Sequence, residues 1–171
     1  VLGIYYKIQS FFFIPLLGFQ QVLLPLFSYH YGAGDRHRNR EILKCSMIFS
    51  VIIMAVATGI FFLFPEKLVH IFSKGSAIVA IGKTAFPVIS ISFVFAGLTI
   101  VITSYLQGIA HIKASLFIIV LRQIVLLVPL AWLLHFIGLN AVWWTFPVTE
   151  IIASVTGILI IWILHKEDSA L

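Results

Sequence analysis

The sequence predicts an all-α membrane protein with five transmembrane helices, and three observations carry that expectation. The chain of 171 residues is 61% hydrophobic and only 10% charged, with a mean hydropathy of +1.13, whereas soluble domains run nearer half apolar and a quarter charged. A globule of this length has too little interior to hide so much apolar surface, which argues against a free soluble enzyme, a disordered chain and a nucleic-acid reader. Charge placement is the second observation. No Asp, Glu, Lys or Arg occurs over 8–34, 45–65 or 84–112, while 114–137 holds only Arg122 and 141–164 holds only Glu150. The third is pattern: runs such as 48–64 do not alternate in polarity as barrel strands must, and a helix satisfies its own backbone in lipid.

Taken in order, the spans are 8–31, 45–64, 84–110, 114–137 and 141–164, each about the 20 residues that cross a hydrocarbon core. The first contains Pro15 and Pro25 and carries Gln9, Gln20 and Gln21. It ends at Tyr29, His30 and Tyr31 and the Gly32-Ala33-Gly34 turn, which is too short for a nucleotide site. A basic loop, 35–44, follows. The segment 65–83 reads as interfacial: Leu68, Ile71 and Phe72 fall at helical spacing, with Glu66, Lys67, Ser73 and Lys74 on other faces. The remaining spans contain Pro87, Pro129 and Pro147, and Trp143 and Trp144 read as an aromatic belt. Small-residue pairs, Ala55/Gly59 and Ala153/Gly157, read as packing seams.

Six basic residues (Arg36, Arg38, Arg40, Lys44, Lys113, Lys166) fall on one side and four (Lys7, Lys67, Lys74, Lys83) on the other. This places the 35–44 loop and the C-terminus in the cytoplasm. Cys45 is the single cysteine, which excludes an internal disulfide. The chain opens on Val1 inside an apolar run with no basic leader, and reads as a piece of a longer protein.

Arg122 lies about 12 Å along its span and Glu150 about 13 Å along the next, from opposite ends. In a core of roughly 30 Å their levels differ by only about 5 Å, so the two side chains are expected to pair near the midplane. Charges at that depth need a partner or a wet path. Two readings stay open: a buried ion pair that holds two helices in register, or a Glu150 that exchanges a proton or cation during transport. Gln20, Gln21 and Gln107 are cavity candidates, with hydrogen bonding to a neighbouring helix as the alternative. The histidines have no metal-ligand spacing, and no catalytic constellation or cofactor motif is present, so the expectation is a non-enzymatic protein without a metal or organic cofactor.

The stretch IYYKIQSFFFIPLLGFQQVLLPLFSYHYGAGDRHRNRE, Ile4 to Glu41, resembles the eighth helix and following loop of multidrug and toxic compound extrusion (MATE) transporters, although that family commonly has Asn at the place of His30. A second set also resembles the family. It comprises Leu106-Gln107-Gly108, Leu121-Arg122-Gln123, Val128-Pro129-Leu130, Gly138-Leu139-Asn140-Ala141-Val142-Trp143 and Phe146-Pro147-Val148-Thr149-Glu150. In order and spacing these look like helices ten to twelve. The resemblance implies helices eight to twelve of a twelve-helix, two-lobe antiporter, part of its C-terminal lobe, whose N-terminal lobe is not in this chain. It implies a protein of the plasma membrane, here a bacterial inner membrane, that expels cationic or amphipathic drugs in exchange for protons or sodium. One branch of the family carries an acidic cation site in helix ten, and it has no counterpart here because no Asp or Glu lies between Lys83 and Lys113; other branches place the coupling carboxylate in helix one, outside this chain. Two alternatives remain: a lipid-linked oligosaccharide flippase of the same superfamily, for which only Arg122 could meet a pyrophosphate, and a non-transporting membrane subunit.

Overall fold

The computed structural model describes residues 2–72 and 76–168, and every element among them is helical. In chain order these are α1 (Leu2–Gly32), α2 (Arg36–Leu63), α3 (Pro65–Phe72), α4 (Ser76–Ser90) and α5 (Ser92–Gly108). Then come α6 (Ile112–Val120), a π-helical segment (Leu121–Leu126), α7 (Leu127–His135), α8 (Leu139–Val142) and α9 (Thr145–Asp168). Five stretches are long and apolar enough to cross a membrane: Gln9–Gly32, Arg36–Leu63, Gly82–Gly108, Ile112–His135 and Thr145–Lys166. The protein is an integral membrane protein.

The middle span is the hub. In Gly82–Gly108, 61% of the most apolar window is buried, against 6% in Ile112–His135, which therefore lies at the edge of the bundle. Lipid tails are as apolar as leucine, so helices in a bilayer associate by close contact rather than by escaping water. Glycines supply that contact at three faces of the hub. A Cβ on Gly97 would stand 2.6 Å from Ser50 Oγ of α2, one on Gly108 2.5 Å from Phe27 Cβ of α1, and one on Gly157 of α9 2.7 Å from Ile102 Cγ2. Toward the α3 end, Phe61 packs its ring 4.9 Å from Phe93 and 5.6 Å from Phe86, with Leu16, Met54 and Trp143 in the same cluster. At the other end Phe27 and Tyr105 meet edge to face at 5.2 Å, and the Tyr105 hydroxyl lies 2.9 Å from His165 Nε2, tying α5 to α9.

The hub is not one uninterrupted helix. It breaks at Ile91, four residues beyond Pro87, whose ring removes a backbone donor. The hydroxyls of Ser90 and Ser92 donate to the carbonyls of Pro87 and Ile89, and Thr58 of α2 donates to the Ser90 carbonyl at 2.9 Å. In contrast, α1 continues helical through both Pro15 and Pro25.

Several expectations require correction. The 35–44 segment is not a loop. Gly34 turns the chain at φ 74°, the Asp35 side chain accepts from Arg38 N at 3.0 Å as an N-cap, and the basic residues form the first turns of α2. A carboxylate cap and a following run of good helix formers carry the helix beyond the apolar boundary. The segment 65–83 is not one element: α3 covers Pro65–Phe72 and helix α4 begins at Ser76; Ser73 and Lys74 lie outside the described residues, as do the side chains of Ile71 and Phe72. The last span begins at Thr145 rather than 141, because 139–142 form the separate helix α8 after Gly138 turns the chain at φ 141°. Trp143 is 5% exposed and packs into the aromatic cluster, so only the exposed Trp144 suits a belt. Finally, Ala153/Gly157 is a close seam, whereas Gly59 meets no atom within 4 Å and is not one.

An exposed clip joins α3 to α4, with Lys83 Nζ 2.6 Å from Glu66 Oε1. The hydrogen bond and charge of Lys83 hold the Glu66 carboxyl below its ordinary range. A lowered carboxylate pKa contributes stability at neutral pH that fades as pH falls through it. Glu66→Gln is therefore expected to speed amide hydrogen exchange in α3 at pH 7, and the gap to wild type should close in acid.

Candidate functional site

The π-helical segment arises where the local backbone is loosened. Pro129 cannot donate to the Val125 carbonyl, and its ring crowds that carbonyl; the wide turn Leu121–Leu126 lies just ahead of it. Segments of this kind recur at functional sites. Arg122 sits in it, on the edge span, and reaches across to α9. Its Nε lies 3.3 Å from Glu150 Oε1, and the two side chains are 22% and 14% exposed.

Glu150 belongs to the second turn of α9 and shares a stripe with Ala153 and Gly157 at helical spacing. The Gly157 position is pressed against Ile102 of α5 and within 3.4 Å of Ile118 of α6. The small-residue seam therefore fixes α9 where Glu150 faces the edge span. The carboxylate is only half used, since its Oε2 is buried and has no hydrogen-bond partner.

That oxygen is not isolated. Of the six buried side-chain polar atoms without a partner among the described residues, four fall within 143–150: Trp143 Nε1, Thr145 Oγ1, Thr149 Oγ1 and Glu150 Oε2. Such atoms are costly in an apolar interior and call for a reason. Thr149 is informative by contrast. Thr58, Thr99, Thr103 and Thr156 each donate to the carbonyl four residues back, the usual outlet for a helical threonine. The Thr149 hydroxyl, 1% exposed, does not take it. Sequence reasoning singles out Trp143 only as a belt residue and gives Thr145 and Thr149 no site role; the Thr-x-x-x-Thr spacing ahead of the only acidic residue of the span was the available signal.

The other candidates lie apart from the pair. Gln20 is half-buried and Gln21 exposed on α1. Gln107 closes the α5–α6 corner, its Nε2 donating to Ser115 Oγ at 3.1 Å. Among the described residues, no hydrogen bond links any of the three glutamines to Arg122 or Glu150. Among those residues no group of His, Cys, Asp or Glu could hold a metal ion.

The MatE family model matches residues 1–133. The chain is 25% identical over 165 residues to the multidrug export protein MepA of Staphylococcus saprophyticus, covering 96% of this chain and 36% of that protein. It is 22% identical, with the same coverage, to MepA of Staphylococcus aureus strain NCTC 8325. Among solved structures, the MATE multidrug transporter DinF-BH superposes with a TM-score of 0.86 at 28% identity, over 95% of this chain and 36% of that one. An outward-facing MATE family transporter of the MOP superfamily matches in fold, with a TM-score of 0.87 at 20% identity over 92% of this chain and 36% of that one. The chain thus spans about 36% of the length of the proteins it matches.

Proposed function

Because the chain belongs to the MatE family, we propose that it is the C-terminal part of a drug-efflux antiporter that expels amphipathic or cationic compounds in exchange for protons or sodium. The observation that supports this reading is the membrane-embedded pair of Arg122 and Glu150, with one Glu150 carboxylate oxygen and the Thr145 and Thr149 hydroxyls of the same helix buried without hydrogen-bond partners. An intramembrane carboxylate is a functional-site candidate by default, with its paired charge as the partner to test. In this mechanism two lobes rock about a central cavity, and a cation taken up at Glu150 weakens its hold on Arg122. That favours one arrangement of α9 against the edge span over the other, and differential ion affinity shifts the population. Gln20 and Gln21 on α1 are the uncharged groups offered to a drug in the cavity. Arg122 is engaged by Glu150, which favours a cationic cargo over the pyrophosphate of a flippase substrate. The cytoplasmic side is the one that carries Arg36, Arg38, Arg40, Lys44, Lys113 and Lys166, in a bacterial inner membrane.

The test uses the full-length transporter in a host lacking its own pumps. Ethidium efflux is followed while a proton or a sodium gradient is imposed separately. Wild type is expected to respond to one gradient, and Glu150→Gln to lose at least about a hundredfold in rate, the low end for removing a positioned acid–base group, at unchanged protein level. Absence of gradient-driven efflux in wild type overturns the reading.

A further inference from the structure

Between α1 and α2 runs a groove of about 840 Å³ that the transport mechanism does not use. Its floor is apolar, with Val22 and Leu26 on one wall and Ile42 on the other. Phe19 and Phe49 close its deep end, their rings 4.9 Å apart. Its mouth is polar and carries Arg38, Glu41 and Lys44. From Arg38 to Phe49 the α2 wall rises about 16 Å, close to one leaflet of a roughly 30 Å hydrocarbon core. With Lys44 at the edge of the hydrocarbon, the groove starts about 9 Å outside it, among the headgroups, and its Phe49 end reaches about 8 Å inside.

Its face is also distinct from the one assigned to cargo. Phe19, Val22 and Leu26 share one stripe of α1, and Gln20 and Gln21 leave the helix about 100° and 200° further round. The charges at the mouth are unevenly matched. Arg38 is held by Glu41 at 3.2 Å, while Lys44 has no ion-pair partner among the described residues. A cation left over at the interface, at the head of the apolar Phe19–Phe49 end, complements a lipid that carries a phosphate and a net negative charge.

We infer that the α1–α2 groove is a binding site for one anionic phospholipid, its headgroup phosphate on Lys44 and the adjoining part of its acyl chain lying along Phe19, Val22 and Phe49. The inference rests on the membrane-embedded fold and not on drug efflux.

Cys45, exposed and lining the groove next to Lys44, reports occupancy. The full-length transporter is reconstituted in vesicles of phosphatidylcholine alone or of phosphatidylcholine with phosphatidylglycerol. Labelling of Cys45 by N-ethylmaleimide is then followed on its peptide by mass spectrometry. A Cys45→Ser/Ile48→Cys variant places a thiol one turn further along α2 outside the groove lining, at a position 62% exposed, and corrects for surface potential. Phosphatidylglycerol is expected to slow Cys45 roughly fivefold beyond the control, the factor one basic contact supplies, and Lys44→Gln to abolish the excess. Equal slowing at both positions overturns the proposal. So does a Cys45 that is protected equally in both lipids and in detergent, since the groove is then filled by protein.

Discussion

Arg122→Ala is expected to lower stability by about 3 kcal/mol, because it leaves the Glu150 carboxylate in the bundle without its counter-charge. The low end of the range applies, since Arg122 is 22% exposed and Glu150 can respond by binding a proton. Glu150→Leu alone strands the guanidinium, which cannot discharge, and should cost at least as much. The combined Arg122→Met/Glu150→Leu variant is expected to recover most of the loss, because two apolar side chains of similar volume replace two desolvated charges. Thermal unfolding of the purified full-length transporter, followed for wild type, both single variants and the double, gives the coupling energy. Near-additive losses would show that the 3.3 Å contact contributes little.

The same four proteins separate the two roles open to Glu150. If the pair only holds α9 to the edge span, the stable double variant transports as wild type does. If Glu150 carries the coupling cation, the double variant folds and does not transport. Stability and efflux then part company.

What is legible in such a sequence depends on which term dominates at each position. Runs free of charge mark the spans because burying a charge in hydrocarbon is the largest single cost in the system. Charge reports depth, however, not backbone. Arg36 to Lys44 lie outside the hydrocarbon and are still helical, because Asp35 caps the α2 N-terminus. Tryptophan behaves similarly: the indole of Trp143 suits an interface, yet the turn between α8 and α9 carries it into the Phe61–Phe93 cluster. The π segment around Arg122 leaves no trace in composition, since it depends on how Pro129 loosens the turns before it. The unpartnered Thr149 hydroxyl is equally silent, because a threonine that bonds its own helix and one that does not are the same letter.

Glycine is the sharpest case, because its meaning lies entirely in the neighbour. Gly108→Leu is expected to abolish folding of the transporter, and Gly108→Ala alone to cost about 1–3 kcal/mol, as overpacking does. A Cβ there would stand 2.5 Å from Phe27 Cβ and 3.3 Å from the Ser28 backbone nitrogen. Neither can swing aside, so α1 must move away from α5. Gly97→Ala should cost less, since the atoms it meets, Ser50 Oγ at 2.6 Å and Met54 Cγ at 2.9 Å, belong to side chains that can shift. Gly157→Ala meets the branched Ile102 at 2.7 Å and should fall between them. Gly59→Ala, in a helix with nothing within 4 Å, should be neutral or add up to about 1 kcal/mol through helix propensity. The four alanine variants, ranked by the fraction surviving a heat step as monodisperse protein in detergent, test the order directly. If Gly59→Ala proves as damaging as Gly108→Ala, close approach to α5 is not what these glycines provide.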